Sequence, residues 1–384
     1  MDFNELRFLE SVENIKSLVH LRTGRELSTS RAREITACIQ QGRQFFEASS
    51  AAPLEIRPLV QFYGLLGFSR ALVLGYRLCS LSSMAASHGL RDVTAPGARI
   101  AQLTATIEAK GTFVEFNDTA CSLNRFCYID AHTHPAKVLV PTASSAPLSG
   151  LRITLKDVLA RSPALTKLYR YTFSELPSTE ALDHLSFDAH HNYWTTRLVD
   201  DQRLDSRASL SSIIGRWRTR FPYLSRWRVV EAVPAYGASY ITLANLECGT
   251  DDDLDVVALP EIEPNHYVAP MRDAPPPDHP RIPLDQLFLG VGGGYSGSSA
   301  IAIAPYAGQY LSEFSLAYIG LFLLSSLVRY RPDTWSHAVS RSSLQDRPVD
   351  DQALSLIQAF LEDTYAAIPS LIVQALNPHE DKYA

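Results

Sequence analysis

No basic excess, no paired cysteines and no apolar run of membrane length mark this chain. Its 35 Lys and Arg stand against 41 Asp and Glu, a formal net charge of −6. That excludes a surface coated uniformly for nucleic acid and leaves only local basic patches. The five cysteines, Cys38, Cys79, Cys121, Cys127 and Cys248, are odd in number and form no CxxC pair, which reads as reduced thiols in a cytosolic protein. The opening MDFNELRFLE carries acids and no apolar h-region, so no signal peptide is expected. The longest strongly apolar run, 314–328, contains Ser315, Gly320, Ser325 and Ser326 and falls short of the roughly 20 residues a membrane span requires. A core helix is expected there, with no membrane partner.

Motifs for common chemistries are missing as well. The glycines of 290–297 are not followed by the Lys of a phosphate loop, and SSAIAIAP after them reads as a strand rather than the helix of a dinucleotide fold. No HExxH or GxSxG occurs. His132-Thr-His134 and His190-His191 each offer two metal ligands without a third at recognisable spacing. No metal and no cofactor are therefore expected. No internal repeat is visible.

What is present is 384 residues, 46% hydrophobic and 20% charged, ordinary for a globular protein and long enough for two or three domains. The chain opens on helices: a modest one over 4–19, and one from about Arg31 to Ala48 with Ser30 as N-cap and a stripe of Ile35, Cys38, Ile39, Gly42, Phe45 and Phe46. A third spans Leu59 to Leu81, apolar almost all round, with Pro58 suited to its first turn. Gly89 is a stop signal.

From there the texture turns β-prone: 99–108, 112–116, 126–129, 137–140, 227–233, 239–246, 255–259 and 300–304. Thr154 with Asp157 forms a capping box for a short helix, and a further helix is expected over 209–220. The prolines of 270–283 mark a connector. A last helix runs from about 351 to 367, where Pro369 interrupts or kinks it. The helices at 58–81 and 313–330 are too apolar to stand alone. Packed together they make one helical domain from 1–91 and 311–384, with 92–310 as a strand-rich insertion.

The chain is organised around 311–337. The apolar helix gives way within a few residues to Arg329, Arg331, Asp333, Trp335 and His337. A histidine near neutrality serves as general acid or base, and an arginine holds phosphate and stabilises developing charge. Together they suffice for metal-free RNA cleavage by the ribose 2′-OH. The structural alternative has Arg329 and Arg331 satisfying helix C-terminal carbonyls and pairing with Asp333, with Trp335 as core anchor and His337 on the surface.

A second cluster interleaves Arg216, Arg218, Arg220, Arg226 and Arg228 with Trp217, Phe221, Tyr223 and Trp227, the ingredients of phosphate neutralisation and base stacking. Its structural alternative turns the aromatics to the core and pairs the arginines with acids such as those at 247–255.

Two stretches carry a resemblance. Arg57-Pro58-Leu59 with Phe62-Tyr63-Gly64-Leu65-Leu66, Ser69-Arg70-Ala71 and His88-Gly89-Leu90, together with Leu324 to Pro332 and Trp335, resemble the bacterial YaaC-like proteins over roughly 31–91 and 311–376. Arg331 and His337 also fit the arginine, four to six residues, histidine pattern of the HEPN superfamily, though Pro332 stands where catalytic members carry a polar residue.

The helical ends and strand-rich middle read above make an α+β protein with a β-rich insertion, and the HEPN resemblance implies that its helical part is an HEPN-like bundle. It also implies a cytoplasmic homodimer acting on RNA as a metal-independent ribonuclease of toxin or antiphage type, or working with a defence-system protein. Arg331 and His337 would be catalytic, with Arg329 and the 216–228 arginines holding RNA. The other reading is a non-catalytic interaction or regulatory module whose arginine–tryptophan element is architectural.

Overall fold

The computed structural model describes residues 3–120, 124–129, 135–140, 148–188, 193–244, 259–269, 291–293, 300–339 and 352–377. The expected strand at 255–259 falls almost wholly outside them, as do the proline connector and both histidine pairs; most of the 290–297 glycine stretch does too. The opening helices are α1 (Asn4–Leu9), α2 (Val12–Thr23), α3 (Thr29–Ala51) and α4 (Arg57–Arg77). Shorter ones follow: α5 (Thr112–Ala120), α6 (Leu155–Arg161), α7 (Thr166–Phe173) and α8 (Arg207–Arg220). The chain closes on α9 (Glu313–Tyr330), α10 (Pro332–Val339) and α11 (Leu354–Leu376). Strands fill the middle, and the architecture is α+β.

The contacts divide the chain into two units. One comprises residues 1–123, 144–178 and 311–384, the other 124–143 and 179–310. Residues 92–123 and 144–178, grouped by sequence with the insertion, pack within the helical unit. There β1 (Leu90–Asp92), β2 (Thr104–Ile107) and β5 (Arg152–Thr154) form a small antiparallel sheet.

The second unit is built on an eight-stranded sheet among the described residues. In spatial order it runs β11 (Glu261–Glu263), β12 (His266–Val268), β9 (Arg228–Ala235), β10 (Ala238–Ala244), β8 (Tyr193–Asp200), β7 (His184–Asp188), β3 (Asn124–Ile129) and β4 (Pro135–Val140). Helix α8 contributes Leu210, Ile213, Ile214 and Trp217 to this unit's core.

Helix α4 is the spine of the helical unit because it has no polar face to give to water. It runs antiparallel to α3, and Gly67 makes the approach possible: a Cβ there would lie 2.9 Å from the Cys38 carbonyl oxygen and the Gly42 nitrogen. Phe62 meets Tyr318 and Phe322 of α9 edge-on at 5.6 and 5.9 Å. The Gln61 amide donates to the Leu361 carbonyl at 3.1 Å, and Tyr76 Oη to the Ala375 carbonyl at 2.7 Å, tying α4 to α11. Helices α4, α9 and α11 are each long and apolar enough to cross a membrane by length and composition, which corrects the reading of 314–328 as too short, since α9 extends past that run at both ends. Most of each apolar window is buried inside this unit.

Several expectations shift. Ser28, not Ser30, caps α3, its hydroxyl accepting from the Arg31 N–H at 3.4 Å. Helix α4 stops at Arg77, where Leu78 turns left-handed. The β-prone 112–116 is helical: α5 buries Phe113 and Phe116 against Tyr318, and that packing overrides local propensity. The last helix starts at Leu354 and continues through Pro369 to Leu376.

Candidate functional site

Helix α9 begins at Ser312, whose hydroxyl accepts from the Ser315 N–H at 3.1 Å, and every residue from Glu313 to Leu327 is buried. Such a helix is fixed by packing on all sides, so the groups at its exit are fixed with it. Arg329 donates from Nε to the Ser325 carbonyl at 3.2 Å, and its guanidinium lies 4.9 Å from the Tyr330 ring centre. This is the helix-end satisfaction that the structural alternative expects.

Arg331 is the C-cap, its N–H donating to the Leu327 carbonyl. Its expected partner was Asp333, but it turns instead to the small sheet. Nη2 donates to the Thr94 carbonyl at 3.1 Å and stands 3.7 Å from Asp92 Oδ1. Asp92 is itself held: Oδ2 accepts from Ser326 Oγ at 2.7 Å and Oδ1 from the Thr94 N–H at 2.9 Å. Burial pushes this carboxyl up. The Thr94 hydroxyl, Ser326, the Thr94 N–H and the charge of Arg331 outweigh burial and hold it below the usual carboxylate range.

The linkage has a definite sign. A carboxyl whose folded pKa is depressed adds stability that is complete above its unfolded value of about 3.9 and drains away as pH falls through the folded pKa. Asp92→Asn is therefore expected to cost roughly 1–3 kcal/mol at pH 7, the range for a hydrogen-bonded charged group. Urea unfolding of both proteins at pH 7 and below pH 4 checks this; the gap closes in acid.

Beyond the cap, α10 starts at Pro332, a residue suited to a first helical turn. Trp335 is buried, and its Nε1–H donates to the Glu55 carbonyl at 2.9 Å. His337 follows on the same helix; its side chain lies outside the described residues. Arg57 is spent locally, with Nε and Nη2 on the Ala52 carbonyl.

A second histidine, His88, packs between α4 and α9. Its ring packs edge-on against Phe62 at 5.3 Å and Phe322 at 6.2 Å. Burial, then the charges of Arg329 and Arg70, hold the imidazole below its ordinary pKa, so it is neutral at pH 7. Sequence reading missed Asp92, Thr94 and Ser326. The one available signal was Ser326, a hydroxyl in an otherwise apolar helix that needs a partner when buried.

The arginine cluster of the second unit is largely engaged within that unit. Arg216 donates to Asp200 at 2.5 Å and Gln202 at 2.6 Å, and Trp217 Nε1 also reaches Asp200 at 2.7 Å. Arg218 binds the Trp227 carbonyl at 3.0 Å; Arg220 binds Glu180 at 2.9 Å and the Thr179 carbonyl at 3.2 Å. Arg226 is exposed and Arg228 half-buried. Trp217, Phe221, Tyr223 and Trp227 are all buried, so these rings are core and not stacking platforms. The acids at 247–255 proposed as partners lie outside the described residues.

A protein-family model described as YaaC-like Protein matches residues 7–220 and 295–376, more than half of the chain. No curated protein and no solved structure matches it.

Proposed function

The chain belongs to the YaaC-like protein family, and from that premise and the exit of α9 we propose a metal-independent endoribonuclease of HEPN-like type. The observation that carries this reading is Arg331 at the cap between α9 and α10. Asp92 and Thr94 orient its guanidinium through Nη2, and His337 follows six residues on. Among the described residues Nε and Nη1 of Arg331 make no hydrogen bond, which leaves both nitrogens to donate to a phosphate.

In the proposed reaction His337 takes the proton from a ribose 2′-OH. The 2′-oxygen then bonds to phosphorus, the bond to the 5′-oxygen breaks, and that oxygen leaves with a proton taken from water. The products are a 2′,3′-cyclic phosphate and a 5′-hydroxyl. Arg331 stabilises charge on the phosphoryl oxygens, and Arg329 adds positive charge beside it. Pro332 opens α10 where catalytic members of that type carry a polar residue, so the chemistry rests on Arg331 and His337. The same reading takes the protein as a cytoplasmic homodimer, joining two such sites, in toxin or antiphage defence. RNA cleavage in excess EDTA that is lost in His337→Ala and in Arg331→Lys tests it.

A second reading, a non-catalytic interaction or regulatory module, is favoured by one observation. Arg331 with Asp92 and Trp335 with Glu55 already tie α9, α10, the small sheet and the α3–α4 loop together without any ligand. It predicts no cleavage by any of the three proteins.

A further inference from the structure

Segments distant in sequence meet within the helical unit around a cleft of about 310 Å³. Arg99, Ala101 and Gln102 come from the short helical turn ahead of β2, and Lys156 from α6. Phe173 and Glu175 come from the end of α7, and Gln352 and Ala353 from the approach to α11. The volume is at the lower end for small-molecule sites, so the occupant it suits is small.

The walls are fixed by the fold itself. The Leu155 N–H at the start of α6 donates to the Leu103 carbonyl at 2.8 Å, tying that helix to the turn. Gln352 Nε2 donates to the Thr172 carbonyl at 2.7 Å, tying the approach to α11 to α7. Helix α7 ends at Ser174 in the left-handed conformation, its N–H donating to the Arg170 carbonyl at 3.0 Å, so Phe173 and Glu175 flank a fixed turn.

Inside the cleft some polar groups are spent and others are not. Lys156 Nζ bonds to Glu175 Oε1 at 2.7 Å and stands 4.8 Å from the Phe173 ring centre, with Tyr169 packed on that ring at 4.9 Å. Gln102 Oε1 accepts from the Arg99 N–H at 3.1 Å. Among the described residues the Arg99 guanidinium, Gln102 Nε2, Glu175 Oε2 and Gln352 Oε1 make no hydrogen bond. The cleft thus offers donors on Arg99 and Gln102 and acceptors on Glu175 and Gln352. Ala101, Ala353 and Phe173 supply apolar wall.

We propose that this cleft binds a free α-amino acid, its carboxylate on Arg99 and Gln102 and its ammonium on Glu175 and Gln352. A guanidinium takes a carboxylate through two parallel bonds, and an ammonium donates to carboxylate and amide oxygens. A phosphate fits worse, because Glu175 repels it and already holds the second cation, Lys156. A carboxylic acid without an amino group leaves the two acceptors unanswered. The ribonuclease reading is not needed for this site, since neither Arg331 nor His337 lines it.

The test is isothermal titration of the full-length chain with each of the standard amino acids in turn. At least one is expected to bind saturably, at one site per chain. For the tightest of them, the analogue lacking the amino group and the analogue lacking the carboxylate are each expected to bind ~5-fold or more weakly. Arg99→Gln and Glu175→Gln, both at exposed positions and each confirmed folded by circular dichroism, are expected to weaken binding by a similar factor. His337→Ala is expected to bind like wild type even if it has lost RNA cleavage, which separates this site from the ribonuclease reading. No saturable binding of any amino acid, equal binding of either analogue, or unchanged affinity in either cleft variant overturns the proposal.

Discussion

Gly111→Ala is expected to unfold the helical unit or to lower its Tm by on the order of 10 °C or more. Gly111 sits at φ +138, a region that side chains rarely adopt, and an added Cβ would lie 2.2 Å from Gly89 Cα and N. A sparsely populated backbone conformation costs about 1–3 kcal/mol, and overpacking adds about 1–3 kcal/mol. For a unit of this size each kcal/mol shifts Tm by roughly 2–4 °C. The two nearest atoms in the way are Gly89 backbone, so no rotamer change relieves the clash. The same crossing of Gly89 and Gly111 fixes His88 through the Phe113 N–H, and a folded remnant would hold that ring in the wrong place. Thermal melts followed by circular dichroism check the effect. A Tm within 2 °C of wild type, roughly one kcal/mol for a unit of this size, would show that the crossing yields more easily than its geometry implies.

Trp335→Ala is the second large effect. The indole is 2% exposed and its Nε1–H reaches the Glu55 carbonyl at 2.9 Å. Truncating a buried tryptophan costs about 3–5 kcal/mol, from lost burial and the cavity left behind. Trp335→Phe retains much of the volume but strands the Glu55 carbonyl, at about 1–3 kcal/mol if no water replaces the donor. Denaturant unfolding should therefore rank wild type, Phe, then Ala. Equal stability of the Phe and Ala variants would mean that packing contributes little at this joint and the hydrogen bond carries it.

The parts of this fold legible in sequence are those whose physics is local. Near-continuous apolarity marked α4 and α9 as core helices, because no surface helix tolerates it. The Thr154–Asp157 capping box is present as read. Segment 112–116 was misread as strand because Thr, Phe and Val favour extended backbone, while the contacts that make it a helix lie on α9, some two hundred residues away. Of the two effects expected of Pro369, interruption does not occur: the helix runs through it to Leu376 with both flanks buried.

The candidate site divides the same way. Arg331, Trp335 and the exit of α9 were visible as a change of character within a few residues. Asp92 and Thr94 were not, since nothing near them in sequence announces a partner across the sheet or on another helix. The arginine cluster follows the structural alternative read from its sequence. Alternating arginines and aromatics suggest a nucleic-acid surface, but the fold turns the rings inward, and Asp200, Glu180 and backbone carbonyls take up Arg216, Arg218 and Arg220.

The most direct test of the central claim is end-group analysis of RNA incubated with purified protein in excess EDTA, wild type beside His337→Ala. The ribonuclease reading predicts 2′,3′-cyclic phosphate and 5′-hydroxyl ends from wild type and none from a variant that melts like it. Intact RNA with both proteins, or equal cleavage by both, contradicts the role given to His337 and leaves the exit of α9 as an architectural joint.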